Sequence, residues 1–154
     1  MAENGVNFQK FAKEVDVLLE MMSLYKEIPR SYESDIPLYP AEVHIMCHIA
    51  EGISAVTDLA NHEKKSKSAM SQIITRMEKK GFVEKYPNPA NRRAFFLHLT
   101  EKGERIVDAH TRMNQKIYRE VWEKMNISQE DRMQAVSSFL HALSSMYAQM
   151  LEKS

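Results

Sequence analysis

The sequence predicts a mainly α fold with one small β-hairpin (α+β), in a single domain spanning 1–154. Glycine occurs 4 times and proline 5 times in 154 residues, a composition that favours long uninterrupted helices. Apolar residues recur in steps of three and four along most of the chain, as on one face of a helix. Between Phe82 and Leu99 the pattern changes to short segments rich in β-branched and aromatic residues, which indicates two strands.

The first helix is predicted over 5–28, and it ends before Pro29. Its apolar face carries Phe8, Phe11, Val15, Leu18, Met22 and Tyr25. After a polar loop, Pro40 fits the first turn of a second helix, which runs to about Glu51 and stops at Gly52.

A short helix is predicted near Ala55–His62, and Ser66 is expected to cap the next helix, which ends at Gly81. The inner side of that helix carries Met70, Ile73, Ile74 and Met77. The hairpin then consists of strands Phe82–Tyr86 and Ala94–Leu99, joined by a turn rich in proline and asparagine.

Two helices follow the hairpin. Thr100 is expected to cap the first, and Ser128 with Asp131 resembles a capping box that opens the second. The last helix has an apolar stripe of its own: Met133, Val136, Leu140, Leu143, Tyr147 and Met150. The stripes of the first and last helices are covered either by a second copy of the chain, the interpretation we favour, or by each other.

The charge is distributed unevenly. The 21 basic and 21 acidic side chains cancel, which by itself argues against a nucleic-acid partner. Residues 62–100, however, hold nine basic and three acidic side chains, whereas residues 1–61 hold four and ten. A polyanion would interact with this local basic patch and not with the net charge of the whole chain, because salt screens charges beyond roughly 10 Å.

Other features exclude whole classes of protein. A single cysteine cannot form an internal disulfide, and we find no signal peptide and no apolar run of membrane-spanning length. A cytoplasmic protein without membrane contact is therefore expected. Without a phosphate-binding glycine loop, a zinc-protease motif or a nucleophile elbow, the sequence predicts no enzyme and no cofactor.

Residues 55–80 are predicted to have the order short helix, turn, second helix, and the hairpin follows directly. Small polar residues at the start of a helix allow close approach to base edges in the DNA major groove. Lysines flank that start, and Arg92 and Arg93 lie near the hairpin tip with Lys85, where arginines suit a narrow minor groove. Taken alone, this segment is more simply interpreted as a solvated, lysine-rich helix. The hairpin directly after it favours a DNA-binding function.

The run from Tyr39 through Gly103 resembles the winged helix-turn-helix of the MarR family of bacterial transcriptional regulators. Matching segments are Pro40-Ala41-Glu42, Asp58-Leu59-Ala60, Ser66-Lys67-Ser68-Ala69-Met70-Ser71-Gln72, Arg76 through Val83, Asn88 through Arg93, and Leu99 through Gly103. The family normally has Asp where this chain has Asn88 and Asn91, and the second Asp usually pairs with the arginine that corresponds to Arg93. In this chain a weaker hydrogen bond is expected to replace that ion pair. Where the family often has an apolar residue, Gly and Val in succession, this chain has Glu63, Lys64 and Lys65.

The resemblance implies a DNA-binding lobe at 39–100 and a helical dimerisation lobe from 5–28 and 101–152. It implies a homodimeric repressor that binds a pseudo-palindromic operator and responds to a small-molecule effector. The base-contacting set is expected to be Ser66, Ser68, Ala69, Ser71 and Gln72. The phosphate-contacting set is expected to be Lys65, Lys67, Thr75 and Arg76, with Arg92 and Arg93 on the wing and Arg93 in the minor groove.

An effector pocket is predicted near two histidine-bearing helices. It comprises His44, Cys47, His48, Met22 and His110. The i, i+4 spacing of His44 and His48, with Glu51 beyond, also suits a metal. Zinc-sensing relatives place histidines where this chain has His44 and His110, but the further histidine one turn beyond is Asn114 here. No metal is therefore predicted, and a zinc-responsive regulator and a winged-helix adaptor that binds protein stay as alternatives.

Overall fold

A computed structural model describes residues 7–88, 91–125 and 130–152, without the side chains of residues 88, 91–94, 130–132 and 152. The chain divides into two compact units, Met1–Arg112 and Met113–Ser154, and the boundary falls inside a helix. The described part contains six helices and one two-stranded antiparallel sheet. The predicted mainly α fold with a hairpin is confirmed. None of the described helices combines the length and apolar character needed to cross a bilayer.

The helices begin and end close to the predicted residues. They are α1 (Phe8–Lys26), α2 (Pro40–Ala50), α3 (Val56–His62), α4 (Lys67–Lys79), α5 (Glu101–Lys124) and α6 (Glu130–Glu152). Pro40 opens α2, and Gly52 just after it has φ of +100°, a conformation that glycine adopts without strain. The Ser66 hydroxyl accepts a hydrogen bond from the amide of Ala69 at 3.1 Å, which confirms the predicted cap of α4.

The hairpin consists of β1 (Val83–Asn88) and β2 (Asn91–Leu99), so both strands are longer than predicted. Pairing continues past Tyr86 because Pro87 still lies opposite Phe95, and in a two-stranded sheet a proline can point its missing donor away from the partner. The register shifts between Pro87 and Asn88. The predicted turn residues Pro89 and Ala90 lie outside the described residues, as does Ser128 of the predicted capping box.

The core of the first unit lies where α2, α3 and α4 meet the hairpin. Its fully buried side chains are Leu38, Val43, Ile45, Met46, Leu59, Met70, Ile74, Met77, Phe82, Val83, Leu97 and Ile106. The apolar side of α4 is thus held in the core, and its opposite side faces solvent.

Thr100 joins α5 to the end of the α4 segment. Its hydroxyl donates to the carbonyl of Gly81 at 2.7 Å and accepts from the amide of Gly103 at 3.1 Å, which confirms the predicted cap. A Cβ at Gly103 would collide with the backbone carbonyl of Phe82, so only glycine fits this contact.

By contrast, α1 and α6 are exposed. α1 has no buried residue, and none of the described side chains of α6 is buried. Both helices keep the apolar stripes that the sequence predicts.

Candidate nucleic-acid interface

A tight turn joins α3 to α4. The amide of Lys65 donates to the carbonyl of Ala60 at 2.9 Å, and Lys64 takes φ of +50° to close the turn. The two helices pack against each other through buried Leu59 and Ala60 on α3 and the buried face of α4. This packing fixes the first turn of α4 in place on the surface of the unit.

The exposed side of α4 presents a continuous polar strip. Five side chains of the helix line one shallow surface groove: Ser68, Ser71, Gln72, Thr75 and Arg76. Lys65, Ser66 and Lys67 precede them and are exposed, whereas Ala69 is half-buried. The structure therefore brings the predicted base-contacting and phosphate-contacting residues of α4 onto one face.

One of these residues is already engaged. The Thr75 hydroxyl donates to the carbonyl of Ser71 at 2.9 Å, so its proton is not available to a phosphate oxygen. A phosphate contact at Thr75, which the sequence predicted, would require that hydrogen bond to break. Arg76 and Lys67 do not share this restriction, since neither makes an ion pair among the described residues.

Two of the basic side chains in 62–100 serve the fold. Lys80 donates to both carboxylate oxygens of Glu42, at 2.9 and 3.0 Å, and Lys85 donates to Glu78 at 2.6 Å. Lys85, which the sequence placed around the hairpin tip, is thus tied to α4. Lys64, Lys65 and Lys67 lie exposed at the start of α4, where the helix dipole is also positive.

The hairpin is fixed to the same helices. The amide of Leu97 donates to the carbonyl of Ser54 at 2.9 Å, and Ala55 forms an isolated bridge with Phe96. This third strand contact is absent from the sequence prediction, because a two-residue bridge has no periodicity to detect. The backbone of Arg92 and Arg93 lies in β2, and their side chains lie outside the described part of the chain.

The predicted effector residues separate into two groups. His44 on α2 faces His110 on α5, with ring centroids 5.4 Å apart, and Tyr32 meets His110 edge-on at 5.6 Å. Burial lowers the pKa of both histidines below the usual value. His110 is only 6% exposed, whereas His44 is exposed, so the ring contact joins a buried histidine to one at the surface.

His48 makes its ring contact and hydrogen bonds with other residues, although it lies close enough to His44 to affect the pKa of that ring. A single site containing His44, His48 and His110 therefore stays a prediction. The His48 ring lies 4.2 Å from that of His62, centroid to centroid, and its nitrogens meet Glu51 and Glu63. His44 and His48 lie one turn apart on α2, but the His48 ring packs against His62 at the end of α3. The sequence prediction missed His62 and Glu63 as partners of His48, since they lie 14 and 15 positions further along the chain and no local spacing connects them.

Cys47 and Met22 complete the predicted pocket residues. Cys47 is half-buried, and burial raises the pKa of its thiol, which disfavours the reactive thiolate. Met22 lies on α1 with 49% of its surface exposed. Their role as pocket residues stays a prediction.

Comparison with known proteins gives a family match over the region just described. The sequence model of the MarR family matches residues 38–95, which include α2, α3, α4, β1 and part of β2. The transcriptional regulator PchR of Bacillus subtilis is 25% identical over 127 residues, covering 81% of this chain and 75% of PchR.

Solved structures share the fold. FabT of Streptococcus pneumoniae, crystallised in complex with DNA, superposes with a TM-score of 0.76 at 18% identity and covers 94% of this chain and 99% of its own. ZitR of Lactococcus lactis, described as zinc-responsive, gives a TM-score of 0.66 at 19% identity over 90% and 97% of the two chains.

Proposed function

This chain belongs to the MarR family of transcriptional regulators, and from that membership we propose that it binds a pseudo-palindromic DNA operator as a homodimer. Regulators of this family bind DNA and are not enzymes. We also propose which residues contact the operator, that binding represses transcription, and that a small-molecule effector modulates it. A cytoplasmic location belongs to the proposal because the target DNA is there.

The exposed face of α4 is the observation that carries the proposal. It combines small polar side chains, one long amide side chain at Gln72 and lysines before the first turn. A major groove about 12 Å wide admits a helix of this kind, and Gln can pair with adenine through two hydrogen bonds. We assign base contacts to Ser66, Ser68, Ala69, Ser71 and Gln72, and phosphate contacts to Lys65, Lys67, Thr75 and Arg76. Thr75 would contact a phosphate only after its hydrogen bond to the Ser71 carbonyl breaks.

The wing supplies the second set of contacts. Because β2 is bridged to Ala55 just before α3, the hairpin follows any placement of the helix pair on DNA. We assign Arg93 to the minor groove and Arg92 to the flanking phosphates, since narrow minor grooves attract guanidinium groups.

Dimer formation is supported by the exposure of the outer helices. Leu18 on α1 is 53% exposed, and Leu140 and Met150 on α6 are 53% and 57% exposed. Apolar stripes of this length are rarely left in water. A second copy of the chain would cover them symmetrically and would set the spacing of two α4 helices on successive major grooves.

The effector site is proposed around His44, His110 and Tyr32. This cluster touches α2 of the DNA-binding lobe and α5, which continues beyond it. An apolar or aromatic acid that binds more tightly to one spacing of the lobes would shift the population toward it and so release DNA. Cys47 and Met22 are proposed as lining residues.

A zinc-responsive regulator using His44 and His110 is the second candidate, favoured by the ring contact and by the similarity to ZitR. The described residues bring only two imidazoles together there, whereas zinc takes at least three protein ligands. We therefore place the organic effector first.

Selection of bound duplexes from random DNA tests the proposal. We expect enrichment of two inverted half-sites whose centres lie about 10 base pairs apart. Zinc, phenolic acids and acyl compounds are then added separately to the complex with the selected duplex, to identify which class releases it. Failure to enrich any half-site pair, with binding to protein partners instead, would indicate an adaptor and overturn the proposal.

A further inference from the structure

A second histidine cluster lies between the last turn of α2 and the end of α3. The His48 Nε2 atom is 3.1 Å from a carboxylate oxygen of Glu63, and the His62 ring packs against the His48 ring. One potential ligand atom from each of the three residues lies within 4.8 Å of the other two. The cluster lies one turn of α2 beyond His44, and none of its three residues lines the groove on the exposed face of α4.

We propose that His48, His62 and Glu63 form a binding site for a divalent transition metal of the zinc class. Two imidazoles and one carboxylate are ligands that zinc takes, with water in a fourth position. Tetrahedral zinc at about 2.0–2.1 Å from each ligand holds the ligand atoms roughly 3.3 Å apart. His48 and Glu63 already meet that spacing, so rotation of the exposed His62 ring is the main adjustment.

The position of Glu51 supports the assignment independently. Its carboxylate lies 3.3 Å from His48 Nδ1, the ring nitrogen that points away from Glu63. Metal-bound histidines usually donate their second nitrogen to a carboxylate, which fixes the ring and its tautomer. In this arrangement Nε2 is left as the ligand atom toward Glu63 and His62.

Exposure of the cluster permits exchange of the metal with solvent. The side chains of His48 and Glu63 are each 20% exposed, and His62 is exposed at the end of α3. The bound ion would replace the hydrogen bond between His48 and Glu63 with coordination bonds to both.

The site would clamp the turn that precedes α4. Glu63 is the C-cap residue just after α3, and the next residue, Lys64, has φ of +50°. Metal binding would join this turn to α2 and so restrict the approach of Lys65, Ser66 and Lys67 to DNA. Any effect on operator affinity rests on the proposed function, so the metal is titrated in the absence of DNA.

The experiment is a titration of the tag-free, chelator-treated full chain with Zn²⁺ against a chromophoric competitor, and with Co²⁺ followed by visible absorption. We expect one ion per chain and the absorption of tetrahedral Co²⁺ for the parent. His62→Gln and Glu63→Gln should lose this signal. Glu51→Gln should weaken binding by roughly 10- to 100-fold, because it removes only the support of His48.

His141→Gln is the matched control, since His141 is an exposed histidine on α6, and it should titrate like the parent. Circular dichroism of each chelator-treated variant confirms that it is folded. Equal affinity in the parent, His62→Gln and Glu63→Gln would overturn the proposal. Loss of binding in His44→Gln but not in His62→Gln would also overturn it, because the ion would then lie at the other histidine pair.

Discussion

Glu42 shows how much a single buried side chain can organise. Its carboxylate is 5% exposed, accepts from the amide of Tyr39 at 3.0 Å and pairs with Lys80 just after α4. One group thus caps α2 and holds the far end of α4 to it. The capping role could be predicted from Glu42 following Tyr39 and Pro40. The pairing could not, because 38 residues separate the two side chains.

Glu42→Gln should lower the free energy of unfolding by about 2 kcal/mol, because it leaves Lys80 beside a neutral amide in a partly dry site. Urea unfolding measures the change. Glu78→Gln is the control, since the ion pair of Glu78 with Lys85 is more exposed and should contribute less than about 1 kcal/mol. Equal losses in the two variants would contradict the buried role of Glu42.

Lys67→Ala should weaken binding to all duplexes and reduce the slope of log affinity against log salt by about 1, because one phosphate contact is lost. Fluorescence anisotropy at several salt concentrations measures the slope. Lys116→Ala, an exposed lysine on α5 outside the 39–100 lobe, should keep the parent slope. An unchanged slope in Lys67→Ala would remove this residue from the interface.

His44 and His110 should make stability depend on pH. Their pKa values are lowered by burial, so the unfolded chain takes up protons before the folded protein does as the pH falls below about 6.5. Stability contributed by the neutral pair is complete above that pH and is lost below it. Urea midpoints between about pH 7.5 and 5.5 should therefore fall less in His110→Gln than in the parent. His141→Gln should follow the parent, and identical pH profiles for all three would contradict the prediction.

At the scale of elements, the sequence was informative wherever a local signal exists. The helix bounds follow from Pro40, Gly52, Ser66 and Thr100, each of which acts within a few residues. The strand ends were underestimated, because Pro87 was taken as a turn residue although it pairs with Phe95. The bridge between Ala55 and Phe96, and the meeting of His48 with His62, depend on tertiary packing and have no local signal.

Gly103 sets how closely α5 approaches the end of the α4 segment. Gly103→Ala should destabilise the protein by about 1–3 kcal/mol, although alanine favours helix, because the new Cβ meets the carbonyl of Phe82. Glu104→Ala, at the neighbouring exposed position, should change stability by less than about 0.5 kcal/mol. Thermal unfolding compares them, and a Gly103→Ala protein as stable as the parent would show that the helix can move away freely.

For the whole molecule, the exposed stripes predict the assembly state. Leu140→Glu should convert the proposed dimer to the single-chain mass of 17.9 kDa, because a charge would be buried among apolar side chains. Sedimentation equilibrium measures the mass. Ser138→Glu lies about 200° around the same helix and should leave the dimer intact. A parent protein that already sediments as a single chain would contradict the homodimer.

The zero net charge of the whole chain is the sum of opposed segments, and their distribution affects how the protein binds DNA. The excess of positive over negative charge lies in residues 62–100, and the chain before them is acidic. Within 62–100, Lys80 pairs with Glu42 on α2, and Lys85 pairs with Glu78 on α4. Affinity for DNA of arbitrary sequence should therefore be modest, and discrimination must come from contacts to bases.

The ratio of affinities for a selected operator and for a scrambled duplex of the same composition tests the central claim most directly. At physiological salt the account predicts a ratio of at least roughly 10³, which should fall by about tenfold in Gln72→Ala because one pair of base contacts is lost. A ratio near one, or a ratio that no substitution on the exposed face of α4 changes, would contradict it.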